Sequence, residues 1–165
     1  MGEFGVMHKG MYLASLFLQI TDIQAIGLEQ AQGITVSEPF YWDLNDKTRA
    51  WSKRFAERMG GQMPTINHSA AYSATLAYLR AAKAANAIEG DKVVAQMRTA
   101  PIDDALYGTV TVRPDGRAVH EMYVFKVKSP AASKGKYDVY DLLETIPAEQ
   151  AFRPLKDGGC PLVSQ

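Results

Sequence analysis

Residues 37–59 read SEPFYWDLNDKTRAWSKRFAERM and place three consecutive aromatic side chains between a strand-like run and a helix. Pro39 fixes its own φ at about −65° and disfavours helical geometry at Glu38, so the chain enters the aromatic residues extended. Asn45 can cap the helix, and Asp46 is favourable in its positive first turn. Three large rings in a row are rare in a solvated loop. The segment therefore predicts a link between two bodies of structure.

Regular elements are predicted on both sides of this link. On the N-terminal side, residues 11–20 form an apolar run typical of a strand buried on both faces. A short helical segment and a β-branched strand follow at 23–32 and 34–37. On the C-terminal side, apolar periodicity and Gly-containing breaks predict three helices, at 46–59, 67–85 and 92–98.

After the third predicted helix, the pattern of apolar residues changes from the helical period to the two-residue period of strands. Residues 107–112 and 119–128 are predicted strands around the turn sequence RPDGR at 113–117. Residues 137–146 are compatible with a strand or a short helix, and the chain from Pro147 onward is expected to be mostly coil. This order of elements indicates the α/β class, although only about two sheet strands precede the helices.

Composition restricts the possible functions. The 165 residues include 18 Lys and Arg and 18 Asp and Glu, so no excess charge draws the chain to nucleic acid or anionic lipid. The longest apolar run, 11–20, is too short to cross a hydrocarbon core of about 30 Å. It also lacks the small-residue cleavage pattern of a signal peptide. We therefore expect no nucleic-acid partner, no membrane insertion and no export signal in this chain.

The sequence shows no catalytic or metal-binding pattern. The three histidines are far apart: His8, His68 and His120. The single cysteine, Cys160, has no neighbouring base, and no glycine loop suited to phosphate is present. Asp103 and Asp104 are adjacent acids of the kind that is usually solvated in a loop. The chain is predicted not to be an enzyme and to need no metal or cofactor.

Beyond these patterns, the chain resembles one family over nearly its whole length. The stretch from GVMHKGMYLASLFLQI through SEPFYWDLNDKTRAWSKRFAERMGG is similar to the later half of branched-chain amino-acid-type ABC transporter substrate-binding proteins. The similarity continues in SAAYSATLAYLRAAKAA, HEMYVFKVKSP and AEQAFRPLKDGGCPLV. These are leucine-binding-protein-like proteins with the type I periplasmic binding protein fold.

The resemblance implies a fold and a division of the chain. Such proteins have two α/β lobes around a solute cleft, with three hinge crossings that absorb the closing motion. It implies a lobe-two segment at about 4–36, a hinge with lobe-one helices at about 37–118, and a return to lobe two with a C-terminal tail at about 119–165. The expected fold is a partial two-lobed Venus-flytrap domain that lacks its N-terminal portion.

The resemblance also implies a function. Full-length relatives are periplasmic and deliver a solute to an ABC permease, so we expect this chain to serve an importer of branched-chain or related amino acids or small aromatic or carboxylic acids. The alternative is a ligand-sensing regulatory domain of the same fold. With half of the cleft missing, the chain alone is expected to bind amino acids poorly. It is also expected to self-associate through exposed sheet edges near residues 11–20.

Five residues are candidates for ligand or hinge contacts. Asp22 and Thr21 follow the apolar run, where α/β sheets bind ligands, but a role of Asp22 as the cap of the following helix is favoured. The resemblance aligns Tyr72 with a cleft-facing tyrosine, and the alternative is a packing role. Tyr41 and Trp42 could line the cleft as an aromatic wall or wedge the hinge, and the hinge interpretation is favoured.

Overall fold

A computed structural model of the protein describes residues 10–161 and residue 163. Contacts divide the chain into two compact units. Unit 1 comprises the residues up to Ile66 together with Met122–Thr145, and unit 2 comprises Asn67–Glu121 together with the residues from Ile146 onward. None of the described helices combines the length and apolar character that crossing a membrane requires.

The elements alternate between helices and strands along the chain. In order they are β1 (Ala14–Ser15), α1 (Ile20–Ile26), α2 (Leu28–Ala31), β2 (Thr35–Glu38), α3 (Asp46–Arg58), α4 (Ile66–Ala85), α5 (Gly90–Met97), β3 (Ile102–Asp104), β4 (Gly108–Val112), β5 (Ala118–Val119), β6 (Met122–Val127), β7 (Tyr140–Ile146), α6 (Ala148–Ala151) and a 3₁₀ helix (Leu155–Gly158). The last two occupy a region that was expected to be mostly coil.

Unit 1 is built on a four-stranded sheet in the order β1–β2–β6–β7. β1 is parallel to β2, and β2 is antiparallel to β6, with Val36 opposite Phe125. The core lies on one face of this sheet, where Val36 and Phe125 are buried with Tyr41 and Tyr140. The Phe125 ring lies 5.3 Å from that of Tyr140 and 5.6 Å from that of Tyr41, centroid to centroid.

The predicted strand at 11–20 is wrong in its extent and its burial. Only Ala14 and Ser15 pair as a strand, and α1 already begins at Ile20. The side chains of Leu16 and Phe17 are 94% and 64% exposed. Among the described residues β1 pairs with β2 alone, so the run lacks the second neighbour that burial on both faces requires. The expected exposed sheet edge is present here.

The predicted helical segment at 23–32 is two short helices. Gly27 adopts φ 89°, a conformation that ends α1 and lets the chain turn into α2. The next strand, β2, lies within one residue of its predicted position.

The helix after the link and its cap follow the prediction, whereas the link joins two parts of the same unit. The Asn45 side chain accepts a hydrogen bond from the Thr48 N–H at 3.0 Å, and the Asn45 N–H donates to the Thr48 hydroxyl at 2.9 Å. These two bonds satisfy donors that a helix start leaves free. The Phe40 ring packs edge to face on Trp51 of α3 at 5.7 Å, so the link is fastened to the helix that it precedes.

Removing this cap gives a first testable result. We expect Asn45→Ala to lower the free energy of unfolding by about 1 kcal/mol, because the Thr48 N–H loses its acceptor. Asn45→Asp keeps a side-chain oxygen at the same place and should cost much less. Urea unfolding followed by far-UV circular dichroism measures both. Equal losses for the two variants would show that the cap does not stabilise α3.

Unit 2 contains a three-stranded antiparallel sheet in the order β3–β4–β5. The predicted RPDGR turn joins β4 to β5, with Gly116 at φ 82° and its N–H donating to the Arg113 carbonyl at 2.9 Å. The predicted strand at 119–128 is in fact two. β5 ends at Val119 in this sheet, whereas β6 begins at Met122 and pairs in unit 1.

The unit boundaries differ from the lobe boundaries that the resemblance implied. Helix α3 belongs to unit 1, although it falls within the segment 37–118 expected for the hinge and lobe one. The residues from Ile146 onward belong to unit 2, although they fall within the segment expected to return to lobe two. The units describe contacts within this chain, and the assignment to lobes stays a prediction.

Candidate functional site

The carboxyl ends of β1 and β2 lie at the same edge of the unit 1 sheet because the two strands are parallel. This is the edge at which α/β sheets commonly hold ligands. Beyond β1 the chain reaches Gln19 and then α1, which carries Thr21 and Asp22. β2 ends at Glu38. Three of these four side chains can accept hydrogen bonds through carboxyl or amide oxygens.

Asp22 is the third residue of α1 and fastens the start of that helix. Its Oδ2 accepts a hydrogen bond from the Gln19 N–H at 2.7 Å. The predicted cap is therefore wrong in position, because the N-cap of α1 is Gln19 and Asp22 accepts the Gln19 N–H from the third helical position. Thr21 is exposed beside it. A ligand contact by either residue stays a prediction.

Glu38 is a member of this cluster that sequence reasoning missed. Its side chain is 3% exposed. Burial, followed by the charge of Asp22, raises the pKa of the Glu38 carboxyl to about 8. The carboxyl is therefore mostly protonated at neutral pH. The sequence contained a signal for this burial. Side chains two residues apart on a strand lie on the same face, so Glu38 shares the buried face of Val36.

Tyr140 joins Glu38 to the segment before α1. The Tyr140 hydroxyl donates to the Leu18 carbonyl at 2.7 Å. Burial raises the pKa of this phenol, and the nearby Glu38 carboxyl adds to the rise. Since the only hydroxyl hydrogen is used on Leu18, a protonated Glu38 is the donor in the Glu38–Tyr140 hydrogen bond. The end of β2, β7 and residue 18 are thereby connected.

Tyr41 and Trp42 both hold the segment 137–139. The Tyr41 hydroxyl donates to the Tyr137 carbonyl at 2.7 Å and accepts from the Val139 N–H at 3.1 Å. The Trp42 Nε1–H donates to the same Tyr137 carbonyl at 2.8 Å. Burial raises the pKa of Tyr41 to about 12. Tyr41 is part of the core, and whether the pair acts at a hinge or a cleft wall stays a prediction.

An open groove of about 440 Å³ borders Trp42 within unit 1. Its other walls are Asp43, Met63, Lys128 and the loop 134–138. The Lys136 ammonium lies 5.0 Å from the centre of the Tyr137 ring. The groove thus combines apolar surface with charged side chains of both signs.

The remaining predicted residue, Tyr72, lies on α4 in unit 2 and is 41% exposed. Of the predicted site residues, Thr21 lies beside Asp22 and Tyr41 lies beside Trp42, all in unit 1. Tyr72 belongs to unit 2. His8 lies outside the described residues. Within the described part of the chain, no three His, Cys, Asp or Glu side chains are placed to hold a metal ion together.

Asp104, one of the adjacent acids, has a structural role. Its Oδ1 accepts hydrogen bonds from the Ser73 hydroxyl at 3.0 Å and from the N–H groups of Leu106 and Tyr107 at 2.8 and 3.0 Å. Asp103 is exposed.

Comparison with known proteins identifies the class. A family model described as "Periplasmic binding protein" matches residues 1–136, and the chain belongs to that family. Its fold is that of the type I periplasmic binding proteins, which confirms the predicted family and α/β fold class. No match was found among curated proteins.

Two solved structures are similar over nearly the whole chain. A periplasmic binding protein from Burkholderia mallei is 38% identical, with a TM-score of 0.90 over 99% of this chain and 43% of its own. A branched-chain amino acid ABC transporter periplasmic ligand-binding protein from Burkholderia xenovorans LB400 is 40% identical, with a TM-score of 0.89 over 98% of this chain and 43% of its own. This chain thus spans less than half the length of either structure.

A third solved structure shares the fold at low identity. It is a solute-binding protein of an ABC transporter from Rhodopseudomonas palustris BisB5, in complex with 3,4-dihydroxybenzoic acid. It is 17% identical, with a TM-score of 0.71 over 89% of this chain and 40% of its own.

Proposed function

We propose that this chain serves solute binding for an ABC importer of branched-chain or related amino acids or small aromatic or carboxylic acids. The observation that carries the proposal is the 40% identity, over 98% of the chain, to the ligand-binding protein from Burkholderia xenovorans. The dihydroxybenzoic acid held by the Rhodopseudomonas protein supports including aromatic acids, because it shows such a ligand on the same fold.

The proposal includes a location and partners. The protein acts in the periplasm, takes a small solute and presents it to the permease of the importer. Preference for a closed, ligand-bound form arises only from contacts that differ between the open and closed states. Self-association through the exposed β1 edge belongs to the same proposal, since an unpaired strand edge is a template for pairing.

Asp22 is the residue that we propose for contact with the solute, with Thr21 beside it and Tyr72 on α4. Asp22 lies at the carboxyl edge of the sheet, and only one of its oxygens is used in the contact with the Gln19 N–H. A carboxylate in that position suits a solute ammonium group.

The test uses the Burkholderia xenovorans protein with its matching segment replaced by this chain. Binding of solutes to this exchanged protein is measured by calorimetry. The probes are leucine, valine, benzoate and 4-hydroxybenzoate. We expect the exchanged protein to bind at least one of them. Asp22→Asn keeps an acceptor for the Gln19 N–H but removes the charge, so binding of an amino acid should weaken by roughly 10- to 100-fold.

The matched control is Glu29→Gln, an exposed acid in the first turn of α2, which should leave the affinity unchanged. An exchanged protein that melts cooperatively and binds none of the four probes would contradict the proposed function. Binding that Asp22→Asn leaves unchanged would contradict the role of Asp22 alone.

A further inference from the structure

We infer that the Glu38–Tyr140 pair is a proton-dependent contact that holds the end of β2, β7 and residue 18 together when Glu38 is protonated, and that weakens when Glu38 ionises. This inference does not depend on the proposed transport function. It concerns a pair of unit 1, Glu38 and Tyr140, that the predicted ligand residues do not include.

The charged and titratable groups around Glu38 favour its protonated form. The groups that act on it are the Asp22 carboxyl of α1 and the Tyr140 phenol of β7, and Tyr123 of β6 lies opposite it in the sheet register. Tyr41 adds a further phenol next to Tyr140. All of these groups are acids, and no described base acts on Glu38. A buried carboxyl without a cationic partner is stable only in its neutral form.

The supply of hydrogen-bond donors around Glu38 also favours the protonated form. Within the described residues, Glu38 Oε1 is buried and has no hydrogen-bond partner. The Tyr140 hydrogen is already directed to the Leu18 carbonyl. An ionised carboxylate here would lack donors, whereas a carboxylic acid can donate its own proton to the Tyr140 oxygen. The neutral form therefore completes the hydrogen-bonded series from Glu38 through Tyr140 to Leu18.

Losing the proton has a local structural consequence. A charged Glu38 repels Asp22 and attracts the Tyr140 hydroxyl hydrogen. If that hydrogen turns to the carboxylate, the Leu18 carbonyl loses its donor. The connection between β7 and the segment before α1 is then weakened.

The direction of the pH dependence follows from proton binding. The folded chain keeps the Glu38 proton up to a pH of about 8, whereas the unfolded chain releases it near the ordinary value of 4.5. Between these values the folded state binds more protons, so rising pH favours unfolding. The effect is absent below about 4.5 and complete above about 8.

The experiment uses the 165-residue chain labelled with ¹³C at glutamate side-chain carboxyls. We expect one carboxyl resonance to titrate with a midpoint near 8. In urea, the unfolding equilibrium constant should rise by roughly tenfold or more between pH 5 and pH 8. Glu38→Gln should remove that resonance and this part of the pH dependence. Glu144→Gln, at an exposed position of β7, is the matched control and should retain both.

One further variant separates a proton-linked contact from a packing role. Asp22→Asn removes the repelling charge and should lower the Glu38 midpoint. A packing role predicts lower stability with no movement of the midpoint. The inference is overturned if no glutamate carboxyl titrates above pH 6, or if Glu38→Gln leaves the pH dependence intact. The wild-type titration decides the matter even if a variant does not fold.

Discussion

Replacing Phe125 with alanine is expected to lower the free energy of unfolding by about 3–5 kcal/mol, which is the usual cost of truncating a buried phenylalanine. The side chain is 1% exposed and lies at the centre of the unit 1 sheet, opposite Val36. Its ring contacts those of Tyr41, Tyr123 and Tyr140, so truncation leaves a cavity bordered by three aromatic rings. The urea midpoint measured by far-UV circular dichroism reports the loss.

Leu143→Ala provides the control for this prediction. Leu143 lies on β7 of the same unit and is 56% exposed, so its truncation removes little buried area. We expect a loss of under about 1 kcal/mol. If the Phe125 and Leu143 variants unfold at the same urea concentration, the sheet face that carries Phe125 is not the core of unit 1.

Asp104→Ala is expected to cost about 3 kcal/mol or more. One carboxylate oxygen accepts the Ser73 hydroxyl and the N–H groups of Leu106 and Tyr107. Alanine leaves these buried donors without their acceptor, and each such loss costs about 1–3 kcal/mol. Asp104→Asn keeps one oxygen and should lose less. The measurement is again the urea midpoint.

The neighbouring acid supplies the control. Asp103 is exposed, so Asp103→Ala should change the free energy of unfolding by under about 0.5 kcal/mol. A loss for Asp103→Ala as large as that for Asp104→Ala would argue against the hydrogen-bonded turn as the source of the effect.

Helices and turns of this chain could be predicted because their limits are set locally. Asn45 caps α3 and Gly60-Gly61 follows it, so the predicted and observed ends agree within one residue. Helix α4 begins one residue before its predicted start. The RPDGR turn was predictable for the same reason, since Pro, Asp and Gly each favour one position of a turn.

The strands depended on partners that local sequence does not reveal. An apolar run predicts burial, but Leu16 and Phe17 are exposed because the described sheet offers β1 one neighbour only. The break between β5 and β6 likewise follows from pairing with different sheets. Of the candidate site, Asp22 was found from its position after an apolar run. The burial of Glu38 could have been predicted from its place on the face of Val36, but its neighbour Tyr140 could not, because it comes from about a hundred residues further along the chain.

The Tyr137 carbonyl accepts hydrogen bonds from both Tyr41 and Trp42, so intrinsic tryptophan fluorescence can report on the position of the loop 134–138. Both tryptophans, Trp42 and Trp51, belong to unit 1, and only Trp42 donates its indole N–H to that carbonyl. Trp51 is buried against Phe40. A displacement of the loop 134–138 therefore changes the surroundings of one indole and leaves the other in place. Intrinsic fluorescence, compared between the wild type and Trp51→Phe, follows that loop without an attached dye.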